Sequence, residues 1–279
     1  MSLPALNTVT GVEPGEMEMR GVYYSFGEGK EVLDNVSFKV EKGSFACFCG
    51  PSGCGKTSII NLLAGYTVPD MGECLLDGVP VSGPGADRLV VFQETALLPW
   101  MTLWENTLYG PKVQGKDLMG EVADRAEELI NMVGLTGFEE KYPSQLSGGM
   151  QRRAELIRAL INQPKVLLMD EPFRGLDAMT RSIMQEYIIK LFEHSGTTIL
   201  FVTAELEEAI FLGDVAYFLT VAPATVKKRM VIDLPRPRKF EHLTTSNFVE
   251  LQREAIETVD EEAQKAFSAF VKAKEKRTK

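Results

Sequence analysis

An apolar run that leads through a glycine-rich loop into a helix constrains this chain more than any other feature. A buried strand is predicted over residues 44–49 and a helix over residues 57–63. Between them the sequence reads Gly50-Pro51-Ser52-Gly53-Cys54-Gly55-Lys56-Thr57-Ser58. Glycines in this setting let successive backbone N–H groups turn inward onto phosphate oxygens. We therefore expect residues 50–58 to cradle the phosphates of a nucleoside triphosphate.

Two side chains of this loop have the offsets that nucleotide binding requires. Lys56 can reach the β- and γ-phosphates, and the Thr57 hydroxyl can ligate Mg²⁺. The positive N-terminal end of the following helix would face the same anion. A glycine-rich turn can be only a turn, but the buried strand before it is the context that the phosphate-binding motif needs.

Two further segments downstream carry unusual residues. The apolar run over residues 166–169 ends in adjacent carboxylates, Asp170 and Glu171, which are costly at a buried strand end unless they face a cation and a polar reactant. Before that run lies Leu146-Ser147-Gly148-Gly149-Met150-Gln151. A serine at this place can cap the helix that follows, and glycines allow another backbone to approach closely.

In this order, the three segments resemble the nucleotide-binding subunit of ATP-binding cassette (ABC) transporters, over roughly residues 17–238. The resemblance implies an α/β fold, with a P-loop NTPase (RecA-like) core, an antiparallel β subdomain, a helical subdomain at about residues 95–163 and a C-terminal helical extension. It also implies a homodimer that forms on ATP binding. In that dimer, the P-loop of one subunit holds ATP and the second subunit covers it with its Ser147, Gly148, Gly149 and Gln151.

The resemblance assigns catalytic and metal-binding roles to four more side chains. Asp170 would hold Mg²⁺ together with Thr57, and Glu171 would polarise the attacking water. Gln93 would touch Mg²⁺ and that water while sensing the membrane partner, or it would be an ordinary loop amide. Asp177 would link the two nucleotide sites across the dimer.

Two aromatic residues have alternative interpretations. Phe26 matches the position of an aromatic that stacks on adenine, and the alternative is a core aromatic on a β-hairpin. Trp100, in Leu97-Leu98-Pro99-Trp100, would anchor a short helix of the membrane subunit, and the alternative is that it packs inside the helical insert.

The sequence also resembles one branch of the family. Residues 97–100, 170–173 and 233–238 are similar to importers of nitrate, sulfonate and taurine. The resemblance implies that membrane permease subunits bind this chain, that an extracytoplasmic solute-binding protein serves it indirectly, and that it lies on the cytoplasmic face of the inner membrane. The rival interpretations are a soluble, non-transport ABC ATPase and a hydrolysis-impaired nucleotide sensor or regulatory subunit.

Three residues depart from the family pattern. The family has a histidine that contacts the γ-phosphate after the strand at residues 198–202, whereas this chain reads Thr203-Ala204-Glu205. Three accounts stay open: compensation by Thr203 or Glu205, a histidine-bearing partner, or an engineered substitution. Glu205 also differs from the aspartate that is common beside that histidine, and two adjacent changes favour the first account. Hydrolysis by the homodimer is expected to be slow. Arg174 stands where close relatives have small residues, and it would point to solvent or across the dimer seam.

Composition and periodicity set the remaining expectations. A balance of 30 basic and 39 acidic residues gives a net charge of −9, which argues against nucleic-acid binding. Residues 1–16 are expected to be a flexible leader, residues 17–234 the ATPase domain, and residues 235–279 a linker followed by a helix. The apolar residues of that helix are spaced helically and include Phe248, Leu251, Ala255, Val259, Ala263, Phe267 and Phe270. Its basic end would touch lipid headgroups or fray in solvent.

Overall fold

The structure is a computed structural model that describes residues 13–27 and 29–277. Its strands are β1 (Met17–Phe26), β2 (Lys30–Val40), β3 (Phe45–Cys49), β4 (Met71–Leu76), β5 (Val79–Pro80), β6 (Arg88–Val91), β7 (Val166–Asp170), β8 (Thr198–Thr203), β9 (Val215–Leu219) and β10 (Val226–Val231). Its α-helices are α1 (Lys56–Ala64), α2 (Leu103–Val113), α3 (Glu121–Met132), α4 (Gly148–Leu160), α5 (Ala178–Ser195), α6 (Leu206–Leu212) and α7 (Ser246–Arg277).

The six-stranded sheet positions the candidate site. Its order is β10-β9-β3-β8-β7-β6, with parallel pairing from β9 through β6 and an antiparallel edge strand β10. Strands β3, β7 and β8 are buried at every residue, as expected for parallel strands covered on both faces. Their register pairs Cys49 with Thr203 and Asp170 with Val202. The residues that follow these three strands therefore meet at one edge of the sheet.

The second sheet is antiparallel, with the order β2-β1-β4-β5. It confirms the predicted antiparallel β subdomain: β1 pairs with β2 in one hairpin, and β4 pairs with β5 in another around Asp77 and Gly78. An aromatic contact joins the two sheets: the ring centroids of Phe38 and Phe48 lie 4.4 Å apart, and Phe48 stacks on Tyr217 at 4.8 Å. This core holds the strand that precedes the phosphate loop.

The predicted helical subdomain, at about residues 95–163, contains α2, α3 and α4. Helix α2 begins at a capping box, in which the Thr102 hydroxyl accepts from the N–H of Glu105 and the Glu105 carboxylate accepts from the N–H of Thr102. Helix α3 buries Ala126, Leu129 and Ile130 on one face, as the helical spacing of these apolar residues favours. Among the described residues, no helix has both the length and the apolar character that a membrane crossing requires.

The C-terminal part differs from the prediction in two respects. Helix α6 and strand β10 were not predicted, and the Pro-Arg-Pro-Arg run at residues 235–238, although irregular, is packed firmly on the core. Arg236 Nε donates to Asp214 Oδ1 at 2.7 Å, and buried Arg238 donates to the carbonyl of Gly213 at 2.7 Å.

Helix α7 confirms the predicted helix, and Phe248, Leu251 and Ala255 are buried as expected. Val259 packs against the core, whereas Ala263 is exposed. Residues 1–12 of the predicted leader and the side chains of Phe267, Phe270 and the basic end lie outside the described part of the chain.

Candidate functional site

Residues 50–55 form a tight loop that leads into α1, and the backbone of this loop favours glycine at two positions. Gly55 has φ +112° and Gly53 has φ +80°, which side-chain-bearing residues rarely adopt. A Cβ on Gly55 would lie 2.9 Å from Leu33 Cδ2, and one on Gly50 would lie 2.9 Å from Cys54 Sγ. Burial raises the pKa of the Cys54 thiol. The Cys54 side chain therefore packs inside, and its backbone belongs to the loop.

Lys56 lies at the centre of the site. Its side chain is 4% exposed, and a buried ammonium is costly without acceptors. Nζ donates to the carbonyls of Gly50 at 2.8 Å and Pro51 at 3.1 Å, and it lies 3.2 Å from Glu171 Oε1. The Lys56 ammonium therefore joins the phosphate loop to the residue that follows β7. The two segments are close because β3 and β7 are parallel strands of one sheet.

The two carboxylates at the end of β7 have different surroundings. Asp170 is the last residue of β7, and burial raises its pKa while a hydrogen bond with Thr57 acts in the opposite direction. Glu171 follows with φ +42°, an uncommon conformation outside glycine, and its N–H donates to the carbonyl of Val202 at 3.0 Å. The chain therefore turns sharply between the two carboxylates.

The residues at this edge fit Mg²⁺ bound together with a nucleotide. The Thr57 hydroxyl lies close enough to the Asp170 carboxylate to lower its pKa, so the two oxygen-bearing groups are neighbours beside the phosphate loop. Mg²⁺ prefers hard oxygen ligands and commonly takes one or two from the protein and the rest from phosphates and water. Thr57 and Asp170 supply such a pair beside the phosphate loop.

Gln93 lies in the exposed loop that follows β6, and the structure ties this loop to α4. Buried Arg152 donates to the carbonyls of Phe92 and Gln93 and pairs with Glu155 at 2.5 Å. Glu155 Oε1 in turn accepts from the N–H of Ala96 at 3.1 Å. This ion pair was not predicted from the sequence, although an i, i+3 spacing of arginine and glutamate on a predicted helix indicates such a pair.

The signature segment at residues 147–151 begins α4. The predicted cap is confirmed, because the Ser147 hydroxyl accepts from the N–H of Met150 at 3.3 Å. Gln151 Nε2 donates to the carbonyls of Pro143 at 2.8 Å and Leu146 at 3.1 Å. Within the part of the chain that the structure describes, no hydrogen bond joins this segment to the phosphate loop.

The remaining predicted site residues lie on the surface. Phe26 is 53% exposed and contacts Tyr24 edge-on at 5.2 Å, so the core alternative is wrong. Trp100 is 69% exposed, so it does not pack inside the helical insert. Asp177 caps α5 by accepting from the N–H of Thr180 at 3.0 Å. The Thr180 hydroxyl also donates to Asp177, which lowers the pKa of that carboxyl.

The end of β8 lies beside the end of β7, and its Thr203 side chain forms hydrogen bonds within its own segment. The Thr203 hydroxyl donates to Glu208 Oε2 at 2.6 Å and accepts from the N–H of Glu205 at 3.0 Å, so its one proton is already used. The Ala204 methyl is exposed. A pocket of 130 Å³ is lined by Ser52, Glu171, Phe173, Arg174, Gly175, Arg181, Thr203, Ala204, Glu205 and Glu208.

Arg174 contacts Glu171 of its own chain. Its Nη1 donates to Glu171 Oε2 at 3.0 Å, and its side chain is 57% exposed. From the sequence, this residue was expected to point to solvent or across the dimer seam, and the contact with Glu171 was not predicted. The turn at Glu171, which the sequence pattern does not reveal, brings the two side chains together.

Comparisons with known proteins agree with this geometry. The ABC transporter family model matches residues 33–174. A nitrate import ATP-binding protein of Synechocystis sp. is 43% identical over 203 residues, which cover 73% of this chain and 76% of that protein. A taurine import ATP-binding protein of Pelagibacter ubique is 42% identical over 202 residues, covering 72% and 76%. An uncharacterized ABC transporter ATP-binding protein of Methanocaldococcus jannaschii is 42% identical over 240 residues, covering 86% and 88%.

Solved structures confirm the predicted fold. A dimeric bacterial ABC transporter cassette superposes with a TM-score of 0.68 at 28% identity, covering 78% of this chain and 100% of that one. A dimeric cassette in a post-hydrolysis state, bound to ADP and Pi, gives a TM-score of 0.67 at 27% identity with the same coverage. The chain therefore belongs to the ABC transporter family, as an ATP-binding subunit with the ATPase activity and the ATP and Mg²⁺ requirement of that family.

Proposed function

We propose that this chain hydrolyses ATP to power the import of a small anionic solute, such as nitrate, a sulfonate or taurine, through a membrane permease. The observation that carries the hydrolytic part is the meeting of Lys56 and Glu171 at 3.2 Å, where the phosphate loop and the acidic end of β7 converge. The import part is supported by relatives named as nitrate, aliphatic sulfonate and taurine import ATP-binding proteins.

Residue roles follow from the geometry of this edge. The backbone N–H groups of residues 50–58 hold phosphate oxygens, and Lys56 moves its ammonium from Glu171 to the phosphates. Thr57 and Asp170 would hold Mg²⁺, and Gln93, near the start of the loop after β6, would contact it. When bound, Mg²⁺ neutralises charge on the transferring phosphoryl group. Glu171 then accepts a hydrogen bond from the attacking water and orients it.

We propose that a second copy of the chain completes the site. Among the described residues, the side chains of Ser147 and Gln151 bond to their own side of the molecule, and the N–H groups of Met150 and Gln151 donate to Ser147. The backbone of Gly148 and Gly149 at the start of α4 would face the nucleotide. Asp177 connects the two sites across the dimer. Phe26, exposed on the antiparallel sheet, stacks on adenine.

The membrane partner is proposed to dock beside Gln93. Leu98, Pro99 and Trp100 follow that residue, and the 69% exposure of Trp100 makes it an available anchor for a short permease helix. A solute-binding protein outside the membrane would deliver the anion to the permease. The chain itself would lie on the cytoplasmic face of the membrane.

A second candidate is a nucleotide-sensing subunit with impaired hydrolysis, which the exposed Ala204 methyl favours. Losing one donor to a transition state costs about 10²–10³ in rate. Ala204→His should then raise kcat in steady-state ATPase assays with little change in the Kd for ATP. A brisk parent enzyme that gains nothing from histidine would contradict the candidate and place the switch role on another residue.

Uptake by the source organism tests the proposed function. Deleting the gene should abolish uptake of one anion among radiolabelled taurine, an alkanesulfonate and nitrate. Reintroducing the parent gene should restore that uptake, whereas reintroducing Lys56→Ala should not, because the phosphate cation is missing. Unchanged uptake of all three anions in the deletion strain would overturn the proposed substrate class, and restoration by Lys56→Ala would overturn the coupling to ATP.

A further inference from the structure

The turn after β7 is rigid. The Glu171 N–H donates to the carbonyl of Val202, and the Arg174 N–H donates to the carbonyl of Glu171 at 3.1 Å. Phe173, 2% exposed, anchors the turn against Phe201 with ring centroids 5.4 Å apart. A turn fixed at both its backbone and its central side chain sets the direction of the residues at its two ends. Arg174 therefore reaches Glu171 through local geometry.

Each oxygen of the Glu171 carboxylate has its own cation. Oε1 lies 3.2 Å from Lys56 Nζ, and Oε2 lies 3.0 Å from Arg174 Nη1. Glu171 is 11% exposed, so the charge is largely removed from water and depends on these partners. Under the proposed function, Lys56 turns to the phosphates when nucleotide binds. Arg174 is then the cation that keeps hold of Glu171.

At the facing end of β8, the described side chains of Thr203 and Ala204 do not donate a hydrogen bond to the Glu171 carboxylate. The Thr203 hydroxyl proton is used by Glu208, and Ala204 has only a methyl. Arg181, the other arginine that lines the pocket, donates to the carbonyl of Leu176 at 3.2 Å. Among the described residues of this pocket, Arg174 is thus the cationic side chain that is bonded to Glu171.

We propose that Arg174 is a positioning residue for ATP hydrolysis, which fixes the Glu171 carboxylate in a site where Ala204 cannot do so. The guanidinium leaves Oε1 free for water while its hydrogen bond to Oε2 prevents rotation of the carboxylate. This inference rests on the role proposed above for Glu171. It gives the departure at Ala204 and the departure at Arg174 one shared explanation.

Steady-state ATPase assays of Arg174→Ala test the proposal first. We expect kcat to fall about fivefold to tenfold, the range between an exposed ion pair and a hydrogen bond to a buried charge. The Kd for a fluorescent ATP analogue and the Tm should not change. Arg174→Lys should recover part of the loss, because it keeps the charge without the planar fork.

Arg253→Ala is the matched control. Arg253 is also an exposed arginine one helical turn from a glutamate, with its Nε 3.9 Å from Glu257 Oε1 on α7. Its removal should leave kcat unchanged. An Arg174→Ala enzyme with the parent kcat would overturn the proposal, and so would a loss of ATP affinity that accounts for the whole change in rate.

Two double variants separate positioning from a structural effect. Ala204→His should restore kcat in the Arg174→Ala enzyme, with a larger relative gain than in the parent, because both side chains hold the same carboxylate. Adding Arg174→Ala to Glu171→Gln should not change the residual single-turnover rate. An equal gain from histidine in both backgrounds, or a further loss in the Glu171→Gln background, would overturn the proposal.

These assays also keep the two levels of inference apart. If Glu171→Gln hydrolyses ATP at the parent rate, the proposed role of Glu171 is wrong and the positioning role is wrong with it. If Glu171→Gln is inactive while Arg174→Ala retains the parent kcat, only the positioning role is wrong.

Discussion

The phosphate loop and the signature segment are both expected to contact ATP, yet they differ in how far their own chain completes them. In the loop, Lys56 is 4% exposed and bonded on three sides, and Gly55 is packed against Val32 and Leu33. In the signature segment, no described atom lies within 4 Å of a Cβ built on Gly148. The phosphate loop is therefore packed and hydrogen-bonded within its own chain, whereas the signature segment presents an open surface at Gly148.

This difference shows that similar residue types can serve opposite purposes. The loop glycines are needed inside one chain, because their φ angles and close neighbours exclude a side chain. Gly148 has no positive φ, and a Cβ built on it would meet no atom of the described residues. We attribute its lack of a side chain to close approach of the nucleotide held by a second copy.

Removing the lysine of the phosphate loop should have the largest effect, which is on the affinity for ATP. Lys56→Ala removes the phosphate cation and leaves two carbonyls and the Oε1 atom of Glu171 without this partner. The Kd for ATP should rise about hundredfold or more, as expected when a buried, charge-bearing partner is lost. Calorimetric titration with ATP and Mg²⁺ measures it, and Lys116→Ala on the exposed surface is the control. An affinity within error of the parent would contradict the role of Lys56.

A pair of glycine variants sharpens the comparison itself. Gly55→Ala should lower the free energy of unfolding by about 1–3 kcal/mol, because it forces a side chain into φ +112° against packed neighbours. Gly148→Ala should leave Tm unchanged or slightly raised, since alanine suits the first turn of a helix.

Although Gly148→Ala should not lower the stability of the fold, it should lower the ATPase activity. Gly148→Ala should lower kcat about tenfold by keeping the second copy from the phosphates. Thermal unfolding and steady-state ATPase assays on the same samples check both statements. Normal hydrolysis by Gly148→Ala, or a fold as damaged as that of Gly55→Ala, would remove the distinction between the two regions.

The smallest effect on the isolated subunit is expected at the proposed permease contact. Replacing Pro99 and Trp100 together by alanine should leave the Kd for ATP and the basal ATPase rate unchanged, because Trp100 is 69% exposed and lies outside the phosphate loop. Transport by the complete transporter in reconstituted vesicles should be lost while hydrolysis continues. Unchanged transport would show that neither residue contacts the permease.

Strand order explains why much of the site was predictable. A glycine-rich loop after β3 and two carboxylates at the end of β7 must meet when both strands are parallel members of one sheet. The helix cap at Ser147 was predictable for a different reason, because a cap depends on the local sequence alone. Family roles at Gln93, Asp177 and Phe26 stay predictions, and the structure supplies only their positions.

The rest depended on contacts between residues that pattern reading treats separately. The Arg174–Glu171 hydrogen bond needs a left-handed turn at Glu171, and nothing in the residue type announces it. Arg236 and Arg238 lie in a run typical of a linker, yet Asp214 and two carbonyls hold them against the core. Side-chain direction and tertiary hydrogen bonds, rather than periodicity, decide such features.

Light scattering of Glu171→Gln tests the central claim, that two copies of the chain share each ATP. The variant keeps the shape of the site but cannot polarise water, so ATP stays bound and the closed dimer accumulates. The measured mass should be that of a monomer without nucleotide and should double with saturating ATP and Mg²⁺. A mass that stays monomeric at saturating ATP, while titration shows that ATP is bound, would contradict the shared site.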